Sequence, residues 1–245
     1  MKNTINEIKY LNEKISSIKY NENRFNIFVG EDRYIVGVLS STGQETSISN
    51  IMKFKTLYDT LTDLDWKIKL SLNNGIQYAY SHTTQNNFKI SDISLEEEKL
   101  SYYFIENALF RTSSLWDMLA QLYCLHFSVQ IRPDRIHYKQ IFNPTLQHSD
   151  KFKQSAIKIN QYINQNDNTD LNEEWEGNHA FVNEFRNKMT HRNSPNVTTI
   201  SNYDLNFKSH PVFILKRVVE DYFTVSNYID DILNDIEQKI HDKSN

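Results

Sequence analysis

Two long stretches of this chain repeat their apolar residues at the pitch of a helix, and little in the sequence is there to interrupt them. Phe54, Tyr58, Leu61, Leu64, Ile68, Leu72 and Ile76 share one helical face. Leu100, Phe104, Ala108, Leu115, Leu119 and Leu122 repeat the pattern behind Ser94 and Glu97, whose spacing is that of a capping box. The second run predicts a helix of about 30 residues, roughly 45 Å long at 1.5 Å per residue. Only five glycines and four prolines occur in 245 residues, so long helices are the natural result. The first of them, starting at Ser47, is expected to loosen at Asn73-Asn74-Gly75.

The flanking segments complete a mainly α reading. Ile5, Ile8, Leu11, Ile15 and Ile18 mark an amphipathic helix, and Arg24 to Val29 and Tyr34 to Leu39 read as strands joined by Gly30-Glu31-Asp32. Residues 1–44 therefore form a small helix and β-hairpin extension. A two-stranded hairpin is marginal alone and should pack on the main helical body. Residues 45–245 form the helical domain, a bundle of four to five long helices. Pro133 and Pro144 bracket an irregular connection, and Phe152 to Ile163 is a shorter helix. The polar loop Asn164 to Asn172 precedes a helix capped by Asp170 and Glu173, weakened in its first turns by Gly177 and stopped at Ser194-Pro195. A final helix starts near Pro211 and carries Leu215, Val218, Tyr222, Val225, Ile229, Ile232, Ile236 and Ile240 on one stripe.

Composition removes several classes of function. A formal charge of −4 speaks against a whole-protein grip on nucleic acid, so any polyanion site must be local. The lone Cys124 permits neither a disulfide framework nor a cysteine zinc site within one chain and is expected to fill the core. His82, His126, His137, His148, His179, His210 and His241 show no metal-ligand spacing and are expected to be satisfied or solvated. Phosphate loops of the Walker or GxGxxG type are absent. No metal or cofactor is therefore expected. No window reaches the roughly 18 apolar residues of a membrane span, and the N-terminus lacks a signal-length apolar run, so a soluble, cytoplasmic protein is expected. Trp66, Trp116 and Trp175 lie in helical patterns and should pack in the core rather than stack on bases. Asp117 and Arg111 interrupt the second helix; an ion pair is expected, with Asp117 orienting Arg186 or Arg111 as the alternative.

The segment Arg186-Asn187-Lys188-Met189-Thr190-His191-Arg192 is the one candidate for chemistry. On a helical wheel Phe181, Val182, Phe185 and Met189 cluster and must face the core, leaving Asn183, Arg186, Asn187, Thr190 and His191 together on the other side. That face carries amide, hydroxyl, guanidinium and imidazole but no carboxylate, with Glu184 nearer the core edge. Phosphodiester cleavage needs a group that moves protons at neutral pH, which histidine supplies, and a fixed cation matched to phosphate oxygens, which arginine supplies. His191 in the last turn also lies where the helix dipole favours imidazolium. Five positions separate Arg186 and His191 by about 140°, too wide for one straight helix to serve one phosphate. Either the last turn unwinds at Ser194-Pro195, or two copies meet about a two-fold axis. The plainer account is that Arg186, Lys188, His191 and Arg192 complement the helix C-terminus, with Glu173, Glu174 and Glu176 balancing the other end.

The run Arg186 to His191 resembles the Arg-x4-6-His signature of the HEPN superfamily. It sits in the penultimate major helix with a polar residue directly after the arginine, and the likeness covers about Ser47 to the C-terminus. The resemblance implies a helical bundle, commonly dimeric with the motif at the interface. It implies a metal-independent endoribonuclease of toxin–antitoxin, CRISPR or antiviral systems, with RNA as substrate and an antitoxin or defence-system protein as partner. Carried onto this chain, Arg186, His191 and Asn187 become catalytic, and Asn183, Lys188, Thr190 and Arg192 become substrate contacts. One subset of the family has a tyrosine two positions after the histidine; here that position is Asn193, so modification at such a tyrosine is not expected. The rival reading is a non-catalytic helical module that uses the same face to bind RNA or a protein.

Overall fold

The chain opens with helix α1 (Lys2–Ser17), followed by an antiparallel hairpin of β1 (Ile27–Val29) and β2 (Asp32–Tyr34). Helix α2 (Ser47–Ala79), the short α3 (His82–Asn87) and α4 (Glu96–His126) come next. A 3-10 turn at Pro133–Arg135 leads to α5 (Tyr138–Ile141), α6 (Asp150–Ile163) and α7 (Asn178–His191). A second hairpin, β3 (Thr199–Ile200) with β4 (Leu205–Asn206), precedes the last helix, α8 (Pro211–Asp242). This is a computed structural model, and it describes residues 2–21, 23–25, 27–29, 32–34, 47–145, 150–168, 176–191, 194–201 and 205–242.

The mainly α expectation holds, with α2, α4 and α8 each longer than 30 residues. Their mutual packing makes the core. Leu61, Ile68 and Leu72 from α2 meet Ile105, Leu109, Leu115 and Leu119 from α4, and Leu215, Val218, Tyr222 and Ile229 from α8 close the far side, all essentially without exposure. Each such side chain contributes roughly 1.5–3 kcal/mol by leaving water. Helix α1 lies on α2 and α8 through Leu11 and Ile15, with Ile18 buried just past its end, while Ile5, expected on the same face, is 66% exposed because the contact ends a turn later. Among the described residues, no helix is long and apolar enough to cross a membrane.

Helix α2 does not loosen at Asn73-Asn74-Gly75. At Gly75 it packs tightly on its neighbours: a Cβ there would stand 3.3 Å from Ile105 Cγ1 and 3.4 Å from Leu215 Cδ1. The missing side chain serves close helix packing, and tertiary contact overrides the weak propensity. Helix α4 departs from its expected cap as well. Leu95 occupies the N-cap with no side-chain bond; Ser94 donates instead to Glu98, and Glu97 accepts from Ser81. Lys208 completes this corner, buried against Glu98 Oε1 at 2.7 Å and Ser94 Oγ at 3.0 Å.

Other local differences have simple causes. The first hairpin pairs Val29 with Asp32, a tighter connection than expected, so its second strand starts inside the anticipated turn; residues 35–39 of that strand lie outside the described residues. Trp66 is 62% exposed rather than packed, because it falls about 160° around α2 from the buried Ile68. Trp175 and the capping pair Asp170 and Glu173 lie outside the described residues. Gly177 does not weaken α7 from within; it immediately precedes the helix at φ +68°.

Candidate functional site

Helix α7 buries Val182 and Phe185, with Phe181 and Met189 packed alongside, as the apolar spacing demands. The opposite faces are set by helix pitch. His179 and Arg186 are seven residues apart and so point within about 20° of each other, with Asn183 and Thr190 close to the same line. Since His179 reaches Tyr138 on α5, Arg186 projects from the same side two turns further on. Arg186 is half-buried and donates from Nη2 to Asn187 Oδ1 at 3.3 Å. Among the described residues it pairs with no carboxylate.

The remaining motif residues separate by role. Asn187 is exposed beside Arg186, and Asn183 is half-buried one turn before it. Lys188 pairs with Glu184 at 2.8 Å, and Glu184 is exposed rather than at the core edge. Thr190 bonds back to the Arg186 and Asn187 carbonyls at 3.1 and 3.2 Å, the usual habit of a helical threonine. His191 ends α7, about 7.5 Å along the axis and 140° around from Arg186. Its imidazole lies outside the described residues, as do Arg192 and Asn193.

Behind this face four helices meet at one carboxylate, and a fifth joins through His179. Asp221 of α8, fully buried, accepts from Trp116 Nε1 of α4 at 3.1 Å and from Tyr162 OH of α6 at 3.3 Å. Its Oδ1 also lies 3.2 Å from His179 Nδ1 of α7. The His179 Nε2 lies 2.9 Å from Tyr138 OH of α5; a ring with one proton that donates from Nδ1 to the carboxylate accepts there from the phenol. Burial pushes the Tyr138 phenol up, while the Arg186 charge opposes that shift. Burial, with the Asp221 charge adding to it, holds Tyr162 well above its ordinary value.

Among the described residues Asp117 takes neither role expected of it. Its Oδ1 accepts the Tyr138 backbone N–H at 3.2 Å and so fixes the start of α5, while Arg111 bonds the Asn107 carbonyl and side chain at 2.9 Å. The α5 segment it holds presents Lys139, exposed, with Nζ 5.9 Å from the Tyr138 ring. Lys139 pairs with no carboxylate among the described residues.

Reading by sequence alone passed over Tyr138, Lys139, Tyr162 and Asp221 and treated His179 as one scattered histidine among several. Two signals point to the cluster: the seven-residue step from His179 to Arg186, and an acidic residue set inside the apolar stripe of α8 between Val218 and Tyr222. Among the described residues no three His, Cys, Asp or Glu side chains group as a metal site requires. Comparisons with protein-family models, with curated proteins and with solved structures find no significant match to this chain.

Proposed function

We propose that the α7 face bearing Arg186, Asn187 and His191 is the site of a metal-independent endoribonuclease of the kind the HEPN resemblance implies, working in the cytoplasm of a prokaryote in a toxin–antitoxin or antiviral setting. The observation that carries this reading is Arg186 itself, held half-buried on a helix with, among the described residues, an amide as its one side-chain partner and no carboxylate to neutralise it. A guanidinium kept in that state is ready for phosphate oxygens. In the reaction the RNA 2′-oxygen forms a bond to its own phosphorus and the bond from phosphorus to the 5′-oxygen breaks. The 2′-hydroxyl gives up its proton and the departing oxygen takes one, with His191 moving a proton, Arg186 stabilising the phosphorane charge and Asn187 orienting the guanidinium. The products are a 2′,3′-cyclic phosphate and a 5′-hydroxyl.

The angle between Arg186 and His191 calls for a homodimer in which two α7 faces approach and each site takes residues from both chains. Two observations favour the rival, a binding module without chemistry: Lys188 is engaged by Glu184 and Thr190 by its own helix, which leaves fewer groups for substrate. Labelled RNA incubated in excess EDTA decides between them. Cleavage that persists and leaves a cyclic phosphate supports the nuclease; intact RNA that nevertheless binds supports the module. Light scattering at tens of micromolar tests the dimer.

A further inference from the structure

Arg186 and Lys139 come from different helices, and each lacks a carboxylate partner among the described residues. Two features of the fold set the segments that carry them. The His179 to Tyr138 bond docks α7 on α5, and the Asp117 bond to the Tyr138 amide fixes where α5 begins. Among the described residues neither cation meets a neutralising side chain, although acidic residues outnumber basic ones in the chain, 31 to 27. The Arg186 charge reaches Lys139: partial desolvation first, and then that guanidinium, hold the ammonium below its ordinary value. Like charges within electrostatic reach of each other repel, and an anion bound between or beside them offsets that repulsion. Lys139 is exposed on a different helix from Arg186, where it can meet a phosphate of its own.

We propose that Lys139 is a second backbone-phosphate contact, so that a single-stranded polynucleotide crosses from the α7 face onto α5 with successive phosphates near Arg186 and Lys139. This rests on the reading of Arg186 as a phosphate-binding residue and adds to it the direction of the strand. His137, exposed at the N-cap of α5, stacks its ring on Tyr138 at 4.8 Å and 27° and offers a flat face beside that path. Stacking on such faces tolerates any base, so the contact favours single strands without fixing a sequence.

The test uses the full chain and a short fluorescent 2′-O-methyl oligonucleotide, which lacks the attacking hydroxyl and cannot be cleaved. Anisotropy titrations over a range of salt give the affinity and the slope of log K against log salt. Each phosphate contact in a single strand contributes about 0.7 to that slope. Lys139→Gln should weaken binding about 5- to 10-fold and flatten the slope by about 0.7, while Lys139→Arg should keep both. Lys153→Gln, an exposed lysine on α6, should change neither. If Lys139→Gln binds like the parent while Arg186→Gln is weakened, the strand does not reach α5 and this proposal falls with the α7 reading intact. If neither substitution weakens binding, both fall. Matching thermal melts confirm that each variant is folded.

Discussion

His179 Nδ1 lies 3.2 Å from Asp221 Oδ1, and neither side chain meets solvent. The pair joins α7 to α8 at the level where Trp116, Tyr138 and Tyr162 also converge, so one carboxylate satisfies donors from three helices. Removing it strands those donors in an apolar surround. Asp221→Ala should cost about 3–5 kcal/mol, because it leaves buried donors on Trp116, Tyr162 and His179 unsatisfied at roughly 1–3 kcal/mol each. Asp221→Asn keeps the volume and some acceptor capacity and should cost less. Urea unfolding with an unchanged m-value measures both, and a loss below about 1 kcal/mol for the alanine variant would show that the network relaxes without cost.

Gly177 has φ +68°, and a Cβ built on it would stand 2.4 Å from the Asn166 carbonyl oxygen. Its own carbonyl accepts from Arg217 Nη2 at 3.2 Å, and Arg217 in turn holds Asp167. Gly177→Ala therefore meets two penalties, roughly 1–2 kcal/mol for a left-handed backbone and displacement of the loop that Arg217 anchors. A drop of at least about 2 kcal/mol is expected in thermal or urea unfolding. A neutral result would mean that the Asn166-Asp167 backbone moves freely.

Pattern alone conveys part of this architecture. The stripes on α2, α4 and α8 and the start of α8 at Pro211 are visible in sequence, because apolar periodicity reports the face a long helix buries. Gly75 misleads because glycine signals either looseness or close approach, and only the neighbouring Ile105 and Leu215 decide which. Trp66 misleads because an aromatic ring has no obligatory inward direction. The Asp221 cluster draws on residues from Trp116 to Asp221, more than a hundred positions apart, and no local spacing encodes such a meeting. The motif on α7 is the reverse case: its residue types are legible locally, whereas the absence of a counter-charge at Arg186 among the described residues and the nearby Lys139 emerge only from the fold.

Glu106 on α4 accepts from Asn196 Nδ2, just beyond the end of α7, and burial holds its carboxyl above the ordinary 4.5 despite that hydrogen bond. A carboxyl raised on folding stabilises the native state below its ordinary value and loses that contribution as pH rises through the folded value. At neutral pH the charged form is therefore a burden. Glu106→Gln, which keeps an acceptor for Asn196, should melt higher than the parent at pH 7, and the advantage should vanish near pH 4. Melting curves across that range test it; a variant less stable than the parent at pH 7 contradicts the sign.

Cys124 is closed to solvent on α4, and burial pushes its thiol up to about 11. The thiolate is the reactive form, so both access and ionisation protect it. Labelling by a disulfide reagent at pH 8 should be slow in the native protein and become fast in denaturant. Rapid native labelling would reveal opening of α4 from its neighbours.

Substitutions on α7 should divide cleanly between chemistry and stability. Arg186→Gln and His191→Ala should silence RNA cleavage, since losing a proton-transfer group alone removes about 10²- to 10⁴-fold in rate. The Arg186 change should leave the melting temperature nearly unaltered, because among the described residues the guanidinium bonds only Asn187, and shortening it opens no core cavity. Phe185→Ala acts from the opposite face. It empties a buried site beside Phe181 and should cost about 3–5 kcal/mol, with activity falling only as the fraction folded falls. Cleavage assays and unfolding curves on the same samples separate the two effects. If Arg186→Gln and His191→Ala both cleave RNA at the parental rate, the motif serves the helix terminus alone and the nuclease reading is lost.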